Sequence, residues 1–121
     1  MLLHLNGRDE DRLTAIAEKC RKLGAAVSTR VLDVTDGAAM CDWIETCDND
    51  SPLDLVIANA GVSGGGDVPA GTDETRHIFA VNIDGVVNTV LPSLDCMSSR
   101  GRGQVAIVSS VAAFRGLPGA P

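Results

Sequence analysis

Tyrosine is absent from this 121-residue sequence, and aromatics as a whole make up 2%: Trp43, Phe79 and Phe114. A core of this composition must be aliphatic, and no phenol is on hand for acid–base chemistry. Lysine is almost missing too, since Lys19 and Lys22 are the only two. The net charge is −6 and no basic cluster stands out, which argues against nucleic acid or an anionic membrane surface as partner. No run approaches the roughly 18–20 apolar residues that cross a bilayer. The opening Met1-Leu2-Leu3-His4-Leu5 lacks the charged start and cleavage site of a secretory signal. Histidine is limited to His4 and His77, and Cys20, Cys41, Cys47 and Cys96 show no C-x-x-C spacing. No metal site is expected, and the thiols are expected to stay reduced in a cytoplasmic protein.

What is present suits one globular domain: 45% hydrophobic and 21% charged residues, in a chain long enough for a core. Leu2 to Leu5 is a short apolar run ending at the turn signal Asn6-Gly7. Asp9 can cap a helix whose apolar positions Leu13, Ile16, Ala17, Cys20 and Leu23 recur every three or four residues, with Gly24 as its stop. Ala26 to Leu32 is a β-branched strand, and Asp33-Val34-Thr35-Asp36 turns into a second helix bearing Met40, Trp43, Ile44 and Cys47 on one side. Leu53 to Ala58 is the most continuous apolar strand. Residues 61–71 carry five glycines and a proline and read as loop. A long helix then begins at Thr72 or Asp73 and reaches about Ser99, with an interruption expected at Pro92. Gln104 to Ser109 is a last strand, and Val111 to Pro121 a loop. Alternating strand and helix, four strands with three helices, predicts an α/β fold with a parallel, Rossmann-like doubly wound sheet that is incomplete.

Four turns or helix positions carry the chemistry. Gly7-Arg8-Asp9 follows the first strand, Asp33-Val34-Thr35-Asp36 the second, and Asn59-Ala60-Gly61 the third. The last pattern pairs Asn82-Ile83-Asp84-Gly85 in the long helix with Val108-Ser109-Ser110-Val111 after the final strand. In this order and approximate spacing they resemble the classical short-chain dehydrogenase/reductase family, and the resemblance covers nearly the whole chain.

The resemblance implies an oxidoreductase acting on a small carbonyl or alcohol with a nicotinamide dinucleotide. Strand C-termini in open α/β sheets are where such ligands bind. Gly7 stands in the slot where an acid would take the ribose 2′-hydroxyl, and Arg8 follows it. A guanidinium there pairs with a 2′-phosphate, so NADP is expected over NAD; the plainer alternative is a solvated arginine in a turn. Asp33 is expected to accept from the adenine amino group with Val34 beside the base, although Asp33 or Asp36 can equally cap the next helix. Asn59, Ala60 and Gly61 are expected against the cofactor ribose, with Asn59 tying neighbouring strands; Ala58 replaces the family's first asparagine. By the same resemblance Asn82 and Ser110 are catalytic: Asn82 holds a water that leads to the active-site lysine, and Ser110 orients the substrate carbonyl. The alternative is that both are polar surface residues, but an asparagine inside an apolar helix is locally unfavourable and so suggestive.

Two expected family parts are not in this stretch. Nothing of the T-G-x-x-x-G-x-G type precedes Met1, and the Tyr-x-x-x-Lys couple would fall just past Pro121. The chain by itself is therefore expected to be inactive. The resemblance puts the family's first strand in mid-sheet, so two arrangements are open. Leu2–Leu5 pairs directly with Leu53–Ala58 in the order 2-1-3-4, or the absent segments exist in the whole protein. Two further functional readings remain: a noncatalytic nucleotide-binding remnant, and a homo-oligomerisation module working through the helix near 73–99.

Overall fold

The computed structural model describes residues 1–64, 71–111 and 114–115. The expected loop at 61–71 and the tail from Val111 therefore lie partly outside the described residues. Strand β1 (Leu2–Gly7) leads through Asp9 into helix α1 (Glu10–Lys22), and the Asp9 carboxylate accepts from Arg12 N–H at 2.9 Å. Glu10 and Asp11 in the first turn, and Lys19, Arg21 and Lys22 in the last, both suit the helix dipole. Gly24 follows at φ +89°, the left-handed position that ends the helix. Of the five apolar positions expected to line one face, only Leu13 and Ala17 are buried; Ile16 and Leu23 are exposed.

Strand β2 (Ala26–Val31) runs parallel to β1, with Leu2 opposite Ala26 and Gly7 opposite Val31. Helix α2 (Gly37–Asp50) is capped by Asp36, whose carboxylate accepts from Ala39 N–H at 3.0 Å. Asp36 is thus the cap, which leaves Asp33 for other work. Strand β3 (Leu55–Ala58) pairs in parallel with β4 (Gln104–Ile107), Leu55 opposite Gln104 and Ala58 opposite Ile107. Both are shorter than the apolar runs that announced them.

The long helix is interrupted, but not where proline suggested. Helix α3 (Thr72–Phe79) passes into a π-helical turn (Ala80–Asp84) and on into α4 (Gly85–Ser99), which continues through Pro92. Val81, in the π turn, joins Val34, Met40 and Ile44 in the buried cluster, with Leu32, Trp43, Leu53, Val62 and Cys96 packed around it. All four cysteines are free thiols.

The strands form two separate parallel pairs, β1–β2 and β3–β4, so the direct pairing of β1 with β3 is not formed. Helix α2 packs on α4, and α4 on β3 and β4, while the Asn6 amide at the end of β1 donates to Met40 Sδ of α2 at 3.8 Å. The element order and parallel pairing are those of the Rossmann-like α/β class.

Candidate functional site

Parallel pairing brings the ends of β1 and β2 level. Leu32 N–H donates to Gly7 C=O at 3.0 Å, so the chain leaves both strands side by side. Arg8 Nη1 then lies 3.6 Å from Asp33 Oδ2, with both side chains partly open to solvent. Asp33 Oδ1 accepts from Thr35 N–H at 2.9 Å and from the Thr35 hydroxyl at 2.8 Å. Those two bonds use the lone pairs of Oδ1, while Oδ2, next to the guanidinium, keeps capacity to accept. The Thr35 backbone N–H, with the Thr35 hydroxyl and Arg8 adding to it and partial desolvation opposing, holds the Asp33 carboxyl below its ordinary value. Asp33 is thus an ionised acceptor at neutral pH. Val34 points the other way: its side chain is in the buried cluster and leaves little surface for a ligand.

At the end of β3, Val108 N–H donates to Ala58 C=O at 2.9 Å, extending the β3–β4 pairing by one bond. Asn59, Ala60 and Gly61 follow, exposed. A groove of about 370 Å³ separates this end from β1, and Asn6, Gly7, Arg8, Asp9 and Arg12 line it together with Asn59. Among the described residues the Asn59 side chain has no hydrogen-bond partner, so it does not tie strands together as expected. The reason is topological: its neighbour across the groove, β1, is not paired with β3.

Asn82 sits in the π turn, and its amide grips one residue twice. Oδ1 accepts from Val62 N–H at 2.9 Å, and Nδ2 donates to Val62 C=O at 2.8 Å. This imitates a strand pair and fixes the segment just past Gly61, where a β-carbon would sit 3.4 Å from Asn82 Oδ1. π turns recur at functional positions because the bulge frees a side chain from the regular helical ladder. Ser110 is exposed three residues beyond β4, on the same rim as Asn59 by the β3–β4 register.

The structure thus joins Arg8 to Asp33, Arg8 to Asn59 across the groove, and Asn82 to the segment after Gly61. A second asparagine was missed from sequence: Asn88 Nδ2 donates to Val34 C=O at 2.9 Å. Its signal was the one that marked Asn82, an amide on an apolar helix. Among the described residues no three His, Cys, Asp or Glu side chains group as metal ligands, and no helix is long and apolar enough to cross a membrane.

Comparison with known proteins accords with this geometry. An uncharacterized oxidoreductase of Myxococcus xanthus is 36% identical over 115 residues, 93% of this chain and 46% of that protein. A short chain dehydrogenase/reductase from Burkholderia phymatum, crystallised with NAD, superposes with a TM-score of 0.89 at 26% identity, over 99% of this chain and 44% of that one. A gluconate 5-dehydrogenase from Burkholderia cenocepacia, in complex with NADP and tartrate, gives 0.82 at 26% identity over 97% and 47%. The chain thus spans about half the length of the relatives it matches. Residues 2–121 match the family model for short chain dehydrogenases, and the chain belongs to that family.

Proposed function

We propose that the chain is the adenosine-binding part of an NADP-dependent oxidoreductase acting on a small carbonyl or alcohol substrate. The observation that carries this is the Arg8–Asp33 pair, 3.6 Å apart at the ends of adjacent parallel strands, with Arg8 lining the groove that Asn59 also lines. The donor and acceptor set fits the cofactor. Asp33 Oδ2 takes the adenine amino group, and the small Ala60 and Gly61 admit a ribose close to the backbone. Arg8 takes the 2′-phosphate, with Arg12 on the same groove adding positive potential and Gly7 presenting no carboxylate to repel it. One relative was crystallised with NADP and another with NAD, so the preference for NADP rests on Arg8.

The nicotinamide supplies hydride transfer when bound. This chain's own part is positional: Asn82 holds the segment after Gly61, and Ser110 donates to the substrate oxygen. No tyrosine is present and both lysines lie on α1, so the 121-residue chain is expected to bind nucleotide without turnover. Exposed Phe79, Ile83, Val87, Leu91 and Leu94 along α3–α4 support a second role in self-association, probed by a sizing measurement across concentrations. A cytoplasmic setting completes the reading.

The deciding experiment is Arg8→Asp, with NADPH and NADH affinities measured by calorimetry. Loss of a charge-assisted phosphate contact predicts roughly 10–100-fold weaker NADPH binding, with NADH much less affected. Equal losses for the two would remove the argument for NADP.

A further inference from the structure

Helix α4 reaches back to the turn after β2 and the start of α2 through three close fits. Asn88 Nδ2 donates to Val34 C=O at 2.9 Å across 54 residues of sequence. Gly37 faces the same amide, and a β-carbon there would lie 2.9 Å from Asn88 Oδ1 and 3.2 Å from its Cγ. Gly85 lies against the Val34 side chain, where a β-carbon would come within 2.6 Å of Cγ2. The side chain of Val34 is buried and its carbonyl is held, so the peptide unit between Val34 and Thr35 has little freedom. That unit carries the Thr35 N–H, the donor that fixes Asp33 Oδ1 and leaves Oδ2 beside the Arg8 guanidinium.

From this geometry we infer that Asn88 is a positioning residue for the adenine subsite. It acts through the Val34 carbonyl to set the orientation of the Asp33 carboxylate and its spacing from Arg8. The inference rests on the nucleotide-binding reading above. Asn88 and Asn82 sit on the same continuous helical stretch and hold the turns after β2 and β3 respectively. The helix thereby ties the turn that carries Asp33 to the segment that follows Gly61. An amide suits this position because it is neutral and tolerates partial burial. Its N–H meets a backbone carbonyl that lies between β2 and α2, outside the regular ladders that would otherwise satisfy it.

The test uses the whole chain and adenosine 2′,5′-bisphosphate as the probe. Asn88→Ala and the isosteric Asn88→Asp, which has no N–H to offer Val34, should each weaken probe binding by roughly three- to tenfold. Both should also speed amide hydrogen exchange at Thr35 and Asp36, the two backbone donors to Asp33. Gly37→Ala, at a backbone angle that alanine accepts, should weaken binding in the parent chain and have no further effect once Asn88 is alanine. A purely structural role predicts lower melting temperature with unchanged affinity well below melting, and that result would overturn the inference. So would unchanged exchange at Thr35 and Asp36. Should the parent chain fail to bind the probe, the nucleotide reading itself fails, and the exchange measurement alone then decides whether Asn88 holds the turn.

Discussion

Arg100 offers the sharpest test of how this chain is held together. Its Nη1 donates to both carboxylate oxygens of Asp48 at 2.8 Å and to Cys96 C=O at 3.0 Å, and its Nη2 donates to Leu53 C=O. Asp48 Oδ1 also accepts from Leu53 N–H at 2.8 Å. One guanidinium thus joins the end of α2, the approach to β3 and the last turn of α4. The side chains are 20% and 16% exposed, so the pair is neither a surface ion pair nor fully buried. Surface pairs contribute about 0–1 kcal/mol, whereas breaking a buried pair costs about 3–5 kcal/mol because the remaining charge stays desolvated. Arg100→Ala leaves Asp48 with one N–H donor and takes a donor from each of two carbonyls. A loss of about 2–3 kcal/mol follows, a large share of the roughly 5–15 kcal/mol that stabilises a typical domain. Urea unfolding should show the midpoint falling by about 1–2 M at an unchanged slope. Arg100→Lys keeps the charge without the fork and should recover less than half of the loss. Partial burial also predicts that high salt changes the effect little. A loss under about 0.5 kcal/mol for Arg100→Ala would mean that the pair behaves as a solvated surface contact, and the reasoning from its burial would be wrong.

Other outcomes follow from the same geometry. Asp33 is held below its ordinary carboxyl value, so what its ionised form contributes is fully present above the unfolded value of 3.8 and is lost as pH falls through the lower folded value. Affinity for adenosine, which has no phosphate of its own to titrate near pH 6, followed by calorimetry, should therefore be flat from neutral pH down to about pH 5 and decline below about pH 4; a decline already at pH 6 would assign the titration to another group. Gly85→Ala gains about 1 kcal/mol of helix propensity but overpacks Val34 at a cost of about 1–3 kcal/mol, so urea unfolding should show a net loss of up to about 2 kcal/mol. In a Val34→Ala background Cγ2 is gone and only a 3.2 Å contact with the remaining β-carbon is left, so the loss from the same change should shrink, a coupling between the two sites that propensity alone does not produce.

Much of the fold was legible because apolar periodicity and turn residues agree with one another. Asp9 and Asp36 precede their helices as caps, and Gly24 ends α1 as its position suggested. The misreadings have a common cause in contacts distant along the chain. Pro92 was the local candidate for a helix break, yet α4 runs through it, and the interruption falls at Ala80–Asp84, whose residues read as ordinary helix. There the grip of Asn82 on Val62, 20 residues away, accompanies the change of pitch. Arg100 follows the helix in a glycine-punctuated stretch, and nothing near it in sequence announces Asp48 or Leu53. At the candidate site, Arg8, Asp33 and Asn59 could be located from their places after strands. The Asn59 amide was assigned strand neighbours that the split sheet does not give it, and Asn88 stands out only through a bond that spans 54 residues.

The π turn carries a final consequence for anyone who edits this chain. A wider coil fits one additional amino acid into nearly the same axial rise and nearly the same rotation, so the sequence period slips by one residue across it while the segments on either side keep their facing. Deleting a single residue between Ala80 and Asp84 would let an unbroken α-helix form with Thr72–Phe79 presenting nearly the same side to its surroundings. The same deletion in a regular turn of Gly85–Ser99 has no slack to absorb it and would swing everything upstream by about 100° around the axis. The wide turn is where this helix can lose a residue without rotating.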